Sequence, residues 1–146
     1  FPSREYQQIA QAQLLLTLSA AALQDRINAK EDPLALQDVP HFANSELGLR
    51  GVTIQASQLV GLGVQDLENI RDCADKASCP VLLLVEDTPM AFGDPSKEAQ
   101  EMIRTRIQRL GVAATALGAS GLGVSCEGEN DEQRFDQAAV SIRNAM

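Results

Sequence analysis

The residues best suited to chemistry are two adjacent carboxylates, Glu86 and Asp87, which come directly after the apolar run Val81–Val85. A continuous apolar run of this length is typical of a strand buried on both faces. Carboxylates at its end meet a low-dielectric environment and can act as general acid or base if a substrate reaches them. The alternative is structural: the pair hydrates the strand end, or Asp87 caps the turn at Thr88 and Pro89.

The other reactive residue types indicate no site. His41 is the single histidine, so it cannot form a multi-histidine zinc site, and its place at a helix start favours a surface or capping role. No Gly-x-Ser-x-Gly motif follows a predicted strand, which argues against serine hydrolases. Cys73, Cys79 and Cys126 are odd in number and lack Cys-x-x-Cys spacing, so neither a disulfide framework nor a zinc knuckle is predicted.

Composition narrows the class of protein. The 146 residues are 45% hydrophobic but only 3% aromatic, with no Trp, which favours an aliphatic α/β core in a single domain over residues 1–146. The net charge of −8 repels phosphate backbones and anionic membranes, so nucleic acid is not an expected partner. No apolar run approaches the roughly 20 residues that span a bilayer. These features favour the cytoplasm, although a chain beginning at Phe1 allows for a removed leader.

The elements that must position these residues alternate between strands and helices. Strands are predicted at 51–56, 81–85 and 121–126, and residues 14–19 fit either a fourth strand or part of a helix that reaches residue 29. Helices are predicted from 38–40 to Gly48, from a cap at Gln65 or Asp66, from 94–96 to Gly118, and after a cap at Asn130. Alternating strands and helices at these spacings permit right-handed crossovers and a parallel sheet.

Apolar side chains recur at helical spacing in four of these segments, which predicts that each helix buries one face. The predicted buried positions are Phe42, Ala43 and Leu47 in the first, Leu67, Ile70, Ala74 and Ala77 in the second, Ile103, Ile107, Leu110, Ala114 and Leu117 in the third, and Phe135, Ala138, Ala139 and Ile142 in the last.

Two stretches, 38–54 and 92–124, resemble the xylose-isomerase-like TIM barrels, a family that includes sugar phosphate isomerases and epimerases. The first resembles that family's first helix and second strand, and the second its third helix and fourth strand. The resemblance makes 14–19 the first strand and extends to residue 146. It implies an α/β fold of parallel βα units, a half to partial TIM barrel of about four strands and four helices, after an N-terminal helical extension.

In TIM barrels the active site is built at the C-terminal ends of the strands. The resemblance therefore implies substrate-side candidates at these ends: Gln55, Ser57, Glu86, Asp87 and Glu127. Ser19 lies at the end of the first strand, and Ser125 lies beside Glu127 at the end of the fourth. No residue is assigned a catalytic role. Glu127 has a structural alternative, because an acidic side chain near the start of the last helix stabilises its positive end.

The departures from the family pattern matter as much as the matches. Thr53 stands where family members typically place a carboxylate in the second strand. The family's divalent cation, Mn²⁺ or Mg²⁺, is held by Glu, Asp and His residues of later strands. We therefore expect this chain to bind no metal or other cofactor, while a full-length family member would need the cation.

Two hypotheses follow. The chain is the N-terminal part of a sugar isomerase or epimerase, acting on a small sugar-like substrate once a C-terminal half completes it and inactive alone. Alternatively, it is a noncatalytic half-barrel module that associates with itself or a partner through its open sheet edge. A full barrel needs about 250 residues, and unpaired strand edges favour association in either case.

Overall fold

The computed structural model describes residues 15–127 and 132–145. Four strands alternate there with helices: β1 (Leu18–Ser19), α1 (Gln24–Ile27), α2 (Val39–Ser45), β2 (Val52–Gln55), α3 (Val64–Lys76), β3 (Val81–Val85), α4 (Lys97–Leu117), β4 (Gly121–Gly123) and α5 (Glu132–Ala145). Single 3-10 turns lie at Ala20–Leu23, Leu36–Asp38 and Ala56–Leu59. None of the helices in these ranges is both long enough and apolar enough to cross a membrane.

The four strands form one parallel sheet in the order β1-β2-β3-β4. Each strand pairs with the next in sequence, and a helical crossover joins every pair, as in the first half of a barrel. Within the described residues the sheet does not close, because β1 and β4 each have a strand neighbour on one side only. The predicted α/β fold of parallel βα units is confirmed.

The hydrophobic core lies between the sheet and the helices. Val52 and Ile54 of β2 and Leu84 of β3 are fully buried there. They pack with side chains from all the long crossovers, including Ala43, Leu67, Ile70, Ala74, Leu110 and Leu117. The stripe of α3 and the second half of the α4 stripe thus face the sheet, whereas Ile103 and Ile107 of α4 pack with Met90 and Phe92 in a second cluster. Burying these side chains is the main stabilising contribution to the fold.

The opposite face of the sheet, here called the inner face, is uncovered in this half barrel. Strand pairing places Ser19, Thr53 and Leu83 side by side, and likewise Gln55 beside Val85. Thr53, Gln55, Leu83 and Val85 are partly exposed, in contrast to their fully buried neighbours along the same strands. β4 continues this face with two glycines, and a Cβ on Gly121 would stand 3.2 Å from the Leu83 side chain.

The ends of α4 were specified by the sequence. The Ser96 hydroxyl accepts a hydrogen bond from the Ala99 N–H at 3.2 Å, the usual N-cap interaction. Gly118 terminates the helix in the left-handed region with φ of 68°, which a residue without a Cβ adopts at little cost. The following residues return directly into β4.

Several predicted boundaries need correction. β1 is regular only at Leu18–Ser19 rather than over 14–19, β2 ends at Gln55 where a 3-10 turn begins, and β4 ends at Gly123 rather than at 126. The cap of α3 is Gly63, whose N–H is bonded by the Asp66 carboxylate at 2.8 Å. Leu47 is 49% exposed rather than buried, because α2 ends before it at Ser45.

Two predictions fall outside the described residues, namely the N-terminal helical extension and the cap at Asn130.

Candidate functional site

Ser57 and Asp87 are brought together at the C-terminal edge of the sheet. The backbone N–H of Ser57, just after β2, donates to Asp87 Oδ1 at 3.1 Å, just after β3. Hydrogen bonding to Ser57 lowers the pKa of the Asp87 carboxyl from its ordinary value of 3.8, opposed by a smaller effect of burial and aided by the charge of Arg106. Asp87 is therefore an exposed carboxylate with one oxygen fixed.

Gln55 lies beside this pair at the end of β2. Its backbone N–H donates to Gln58 Oε1 at 3.1 Å, and Gln58 Nε2 donates to Gln24 Oε1 at 2.8 Å. This relay links the turns that follow β1 and β2, so the two connections share one edge. Gln55, Ser57 and Asp87 form the inner-edge group, which borders the uncovered inner face.

Glu86 points the other way, towards the helices, and is only 2% exposed. One carboxylate oxygen, Oε1, accepts the Thr88 N–H at 3.1 Å, and the other, Oε2, is paired with Arg106 Nε of α4. A buried carboxylate is strongly disfavoured unless it is paired and hydrogen-bonded in this way. The carboxylate that caps the turn after β3 is thus Glu86, where the sequence suggested Asp87.

A cavity of about 740 Å³ lies between the 86–96 connection and the first half of α4. Both Glu86 and Glu127 line it. Glu127 reaches it because the segment after β4 runs beside Met90: Met90 N–H donates to the Ser125 carbonyl at 2.9 Å, and Glu127 N–H to the Met90 carbonyl at 2.8 Å. The cavity therefore joins the ends of β3 and β4.

The five substrate-side candidates thus form two groups. Gln55, Ser57 and Asp87 border the inner face, whereas Glu86 and Glu127 share the cavity on the helix side of the sheet edge.

The two basic residues that line the cavity, Arg106 and Arg109 of α4, were not predicted as site residues. The sequence did indicate a shared, largely polar helix face, because residues at intervals of three and four lie on the same side of a helix. The residues with this spacing are Glu98, Met102, Arg106 and Arg109. Met102 within that face is 74% exposed, which marks the face as unburied. Only the apolar stripe of this helix was interpreted from sequence, so its polar face was overlooked.

The donor set does not fit the divalent cation that the fold family implies. No group of three or more His, Cys, Asp or Glu side chains in residues 15–127 and 132–145 is arranged to hold a metal ion. His41 is exposed on α2, and Glu86 has both oxygens engaged by protein donors.

The arrangement supports binding and positioning. Asp87 and Glu127 are exposed carboxylates that can accept hydrogen bonds from hydroxyl groups, while Glu86 orients Arg106 through its Nε. The Arg106 side chain remains 45% exposed beside the cavity.

Comparison with solved structures places the fold. D-psicose 3-epimerase from Clostridium cellulolyticum H10, solved with D-tagatose, is similar with a TM-score of 0.67 at 13% identity, over 88% of this chain and 46% of that one. A probable 3-DHS dehydratase of petrobactin synthesis from Bacillus anthracis is similar with a TM-score of 0.65 at 12% identity, over 90% of this chain and 47% of that one. A sugar phosphate isomerase/epimerase from Parabacteroides distasonis is similar with a TM-score of 0.55 at 16% identity, over 92% of this chain and 50% of that one.

This chain therefore spans about half the length of the structures it resembles. No family model matches the sequence, and no curated protein matches it. The resemblance to xylose-isomerase-like TIM barrels is confirmed at the level of fold, with an extent consistent with the N-terminal half of such a barrel.

Proposed function

We propose that the chain is the N-terminal half of a sugar isomerase or epimerase-like barrel that takes a small sugar-like substrate. The observation that carries the proposal is an open four-stranded half barrel, about half as long as its structural neighbours, with polar side chains at the C-terminal ends of β2 and β3. Two of the structural neighbours, D-psicose 3-epimerase and a sugar phosphate isomerase/epimerase, act on sugars, which supports this substrate class.

The inner-edge group is the part of this half that would meet substrate. Gln55, Ser57 and Asp87 offer an amide, a hydroxyl and a carboxylate, which together can donate to and accept from sugar hydroxyls. The backbone and the side chain of Ser57 both hydrogen-bond to the Asp87 carboxylate, so this carboxylate is held in a fixed orientation from which it can accept a sugar hydroxyl. These residues orient the substrate, and the groups that transfer protons belong to the completing half.

The direct test is the reading frame that encodes the chain, followed through residue 146 and expressed in full. We expect it to continue into further βα units carrying Asp, Glu and His, and the product to epimerise or isomerise a sugar when Mn²⁺ or Mg²⁺ is supplied. A stop codon directly after Met146 contradicts the proposal. The isolated 146-residue chain is expected to show no ketose turnover with added Mn²⁺, and turnover by this chain would contradict the need for a second half.

The second candidate is a noncatalytic half-barrel module, favoured by a specific observation. Thr53 lies on the inner face where the family typically has a carboxylate, and no metal-holding group is found in the described ranges. A full-length product that binds sugars without turning them over would favour this candidate.

A further inference from the structure

The cavity of about 740 Å³ beside α4 is not used by the proposed function, which rests on the inner-edge group. Its volume is within the range of small-molecule sites, about 300–1,000 Å³. Its two main walls, the 86–96 connection and the first half of α4, are both internal segments of the described chain. Met90 and Ile103, which line it with 7% and 5% exposure, give it an apolar floor that can cover the C–H surface of a small molecule.

Arg106 presents to this cavity a guanidinium group whose orientation is fixed from one side. Its Nε is paired with the Glu86 carboxylate, which is 2% exposed and also accepts the Thr88 N–H at 3.1 Å. The two terminal nitrogens of Arg106, Nη1 and Nη2, have no acceptor among the residues that the structure describes. An edge of two guanidinium nitrogens matches the two oxygens of a carboxylate through parallel N–H···O bonds.

Arg109 adds a second positive charge at the same end of the cavity. It lies three residues after Arg106, so the two side chains are neighbours on one helix face, with Cβ atoms about 5–6 Å apart. Arg109 is exposed, and no ion pair engages it within residues 15–127 and 132–145. After hydrogen bonding to Ser57, the charge of Arg106 also contributes to the lowered pKa of Asp87, so pairing with Glu86 does not cancel its positive field. This end of the cavity therefore favours an anionic group.

The acidic side chains of the cavity limit the rest of the ligand. Four acidic residues and two arginines line it within the described chain, so a doubly charged phosphate ester is less favoured than a singly charged carboxylate. Glu98 lies eight residues before Arg106, about 12 Å along the helix axis, and Glu127 borders the cavity from the end of β4. Both are exposed carboxylates, which accept hydrogen bonds from hydroxyl groups.

We propose that this cavity binds a small hydroxycarboxylate of the sugar-acid class. Its carboxylate lies against Arg106 and Arg109, and its hydroxyl groups face Glu98 and Glu127. Glu86 is a positioning residue, since it acts on the ligand only through Arg106. The site lies on the helix side of the sheet edge, apart from the inner-edge group, so it does not depend on the proposed isomerase or epimerase chemistry.

The test is isothermal titration calorimetry of the full-length product of the reading frame with three ligands that share one sugar ring. D-glucuronate carries a carboxylate where D-glucose has a hydroxymethyl group and D-glucose 6-phosphate has a phosphate ester. We expect D-glucuronate to bind at least about tenfold more tightly than either of the others.

A matched pair of arginine variants locates the binding. Arg109→Gln is expected to weaken D-glucuronate binding at least about tenfold, because it removes a charged donor from the carboxylate. Arg104→Gln is the control: this exposed arginine of α4 lines a different cavity, beside α5, and its loss should leave the affinity unchanged.

Two further variants separate this site from a general charge attraction and from the inner edge. Arg106→Lys keeps the positive charge beside Glu86 but lacks the planar pair of donors, so D-glucuronate binding should still weaken several-fold. Ser57→Ala removes the hydroxyl of the inner-edge group and should leave D-glucuronate binding unchanged. Circular dichroism of each variant checks that the fold is kept.

No binding of D-glucuronate at low millimolar concentration overturns the inference, and so does equally tight binding of D-glucose or D-glucose 6-phosphate. Binding that Arg109→Gln leaves intact, or that Ser57→Ala removes, belongs to another site and also overturns it. These outcomes are separate from those of the proposed function. A protein that binds D-glucuronate through Arg109 without turning over a sugar removes only the enzyme proposal, and an active epimerase that does not bind it removes only this site.

Discussion

The two faces of the sheet differ in how deeply their side chains are buried. On the helix-covered face, Val52, Ile54 and Leu84 are fully buried in one continuous core. On the inner face, one residue away along the same strands, Thr53 and Leu83 remain partly exposed. The difference teaches that the helix-covered face holds the described residues together, while the inner face contributes little to that core.

The largest expected effect comes from comparing alanine substitutions of two adjacent leucines, one on each face of the sheet. Leu84→Ala removes a fully buried side chain and should lower the free energy of unfolding by about 2–5 kcal/mol. Leu83→Ala should cost less than about 1.5 kcal/mol because that side chain is already partly solvated. Urea unfolding followed by circular dichroism measures both, and equal losses would show that the inner face is covered.

The next effect concerns the buried end of β3. Arg106→Met removes the ion-pair partner of Glu86, which is 2% exposed, and should destabilise the chain by about 1–3 kcal/mol because a buried carboxylate loses a charged donor. Arg104→Met, an exposed arginine on the same helix, is the control and should stay within about 0.5 kcal/mol. If the two variants unfold at the same urea concentration, the pair does not support the strand end.

Two glycines of the helical layer should respond with opposite sign. Gly118→Ala forces a Cβ into a residue with φ of 68°, at 2.9 Å from Arg71 Nε, and should cost about 1 kcal/mol. Gly111→Ala lies within α4, where an added Cβ meets nothing within 4 Å, and should stabilise by about 0.5–1 kcal/mol. Thermal unfolding of both variants is the measurement, and a shift of the same sign would contradict the helix end described here.

The smallest effect is a pH dependence at the inner edge. Hydrogen bonding to Ser57 lowers the pKa of Asp87 below 3.8, so the ionised form contributes stability above that value and loses it as the pH falls through the lower folded pKa. Asp87→Asn should remove this contribution, of a few tenths of a kcal/mol because the carboxylate is largely exposed. Urea unfolding of both proteins from pH 6 to pH 2.5 should show the gap between them shrinking with acid, and a constant gap would exclude this linkage.

The sequence predicted the structural features that depend on nearby residues better than those that depend on residues far along the chain. The unbroken apolar run placed β3 at Val81–Val85, and Ser96 and Gly118 bounded α4, because a cap and a stop act within one turn. β1 and β4 were predicted to be longer than they are, because the end of each strand depends on where its neighbouring strand stops pairing with it.

The candidate site was less predictable than the fold. Glu86 and Asp87 were singled out together, yet their alternation along the chain sends one carboxylate into the helix layer and the other to the inner edge. Arg106 lies 20 residues after its partner, and only the packing of α4 on β3 brings the two into contact.

The central claim, a sheet covered on one face and open on the other, is tested most directly by thiol labelling of Leu83→Cys and Leu84→Cys, with exposed Cys126 as the internal standard. Leu83→Cys should react under native conditions, while Leu84→Cys should react only on unfolding. Equal protection of both sites under native conditions would contradict the account.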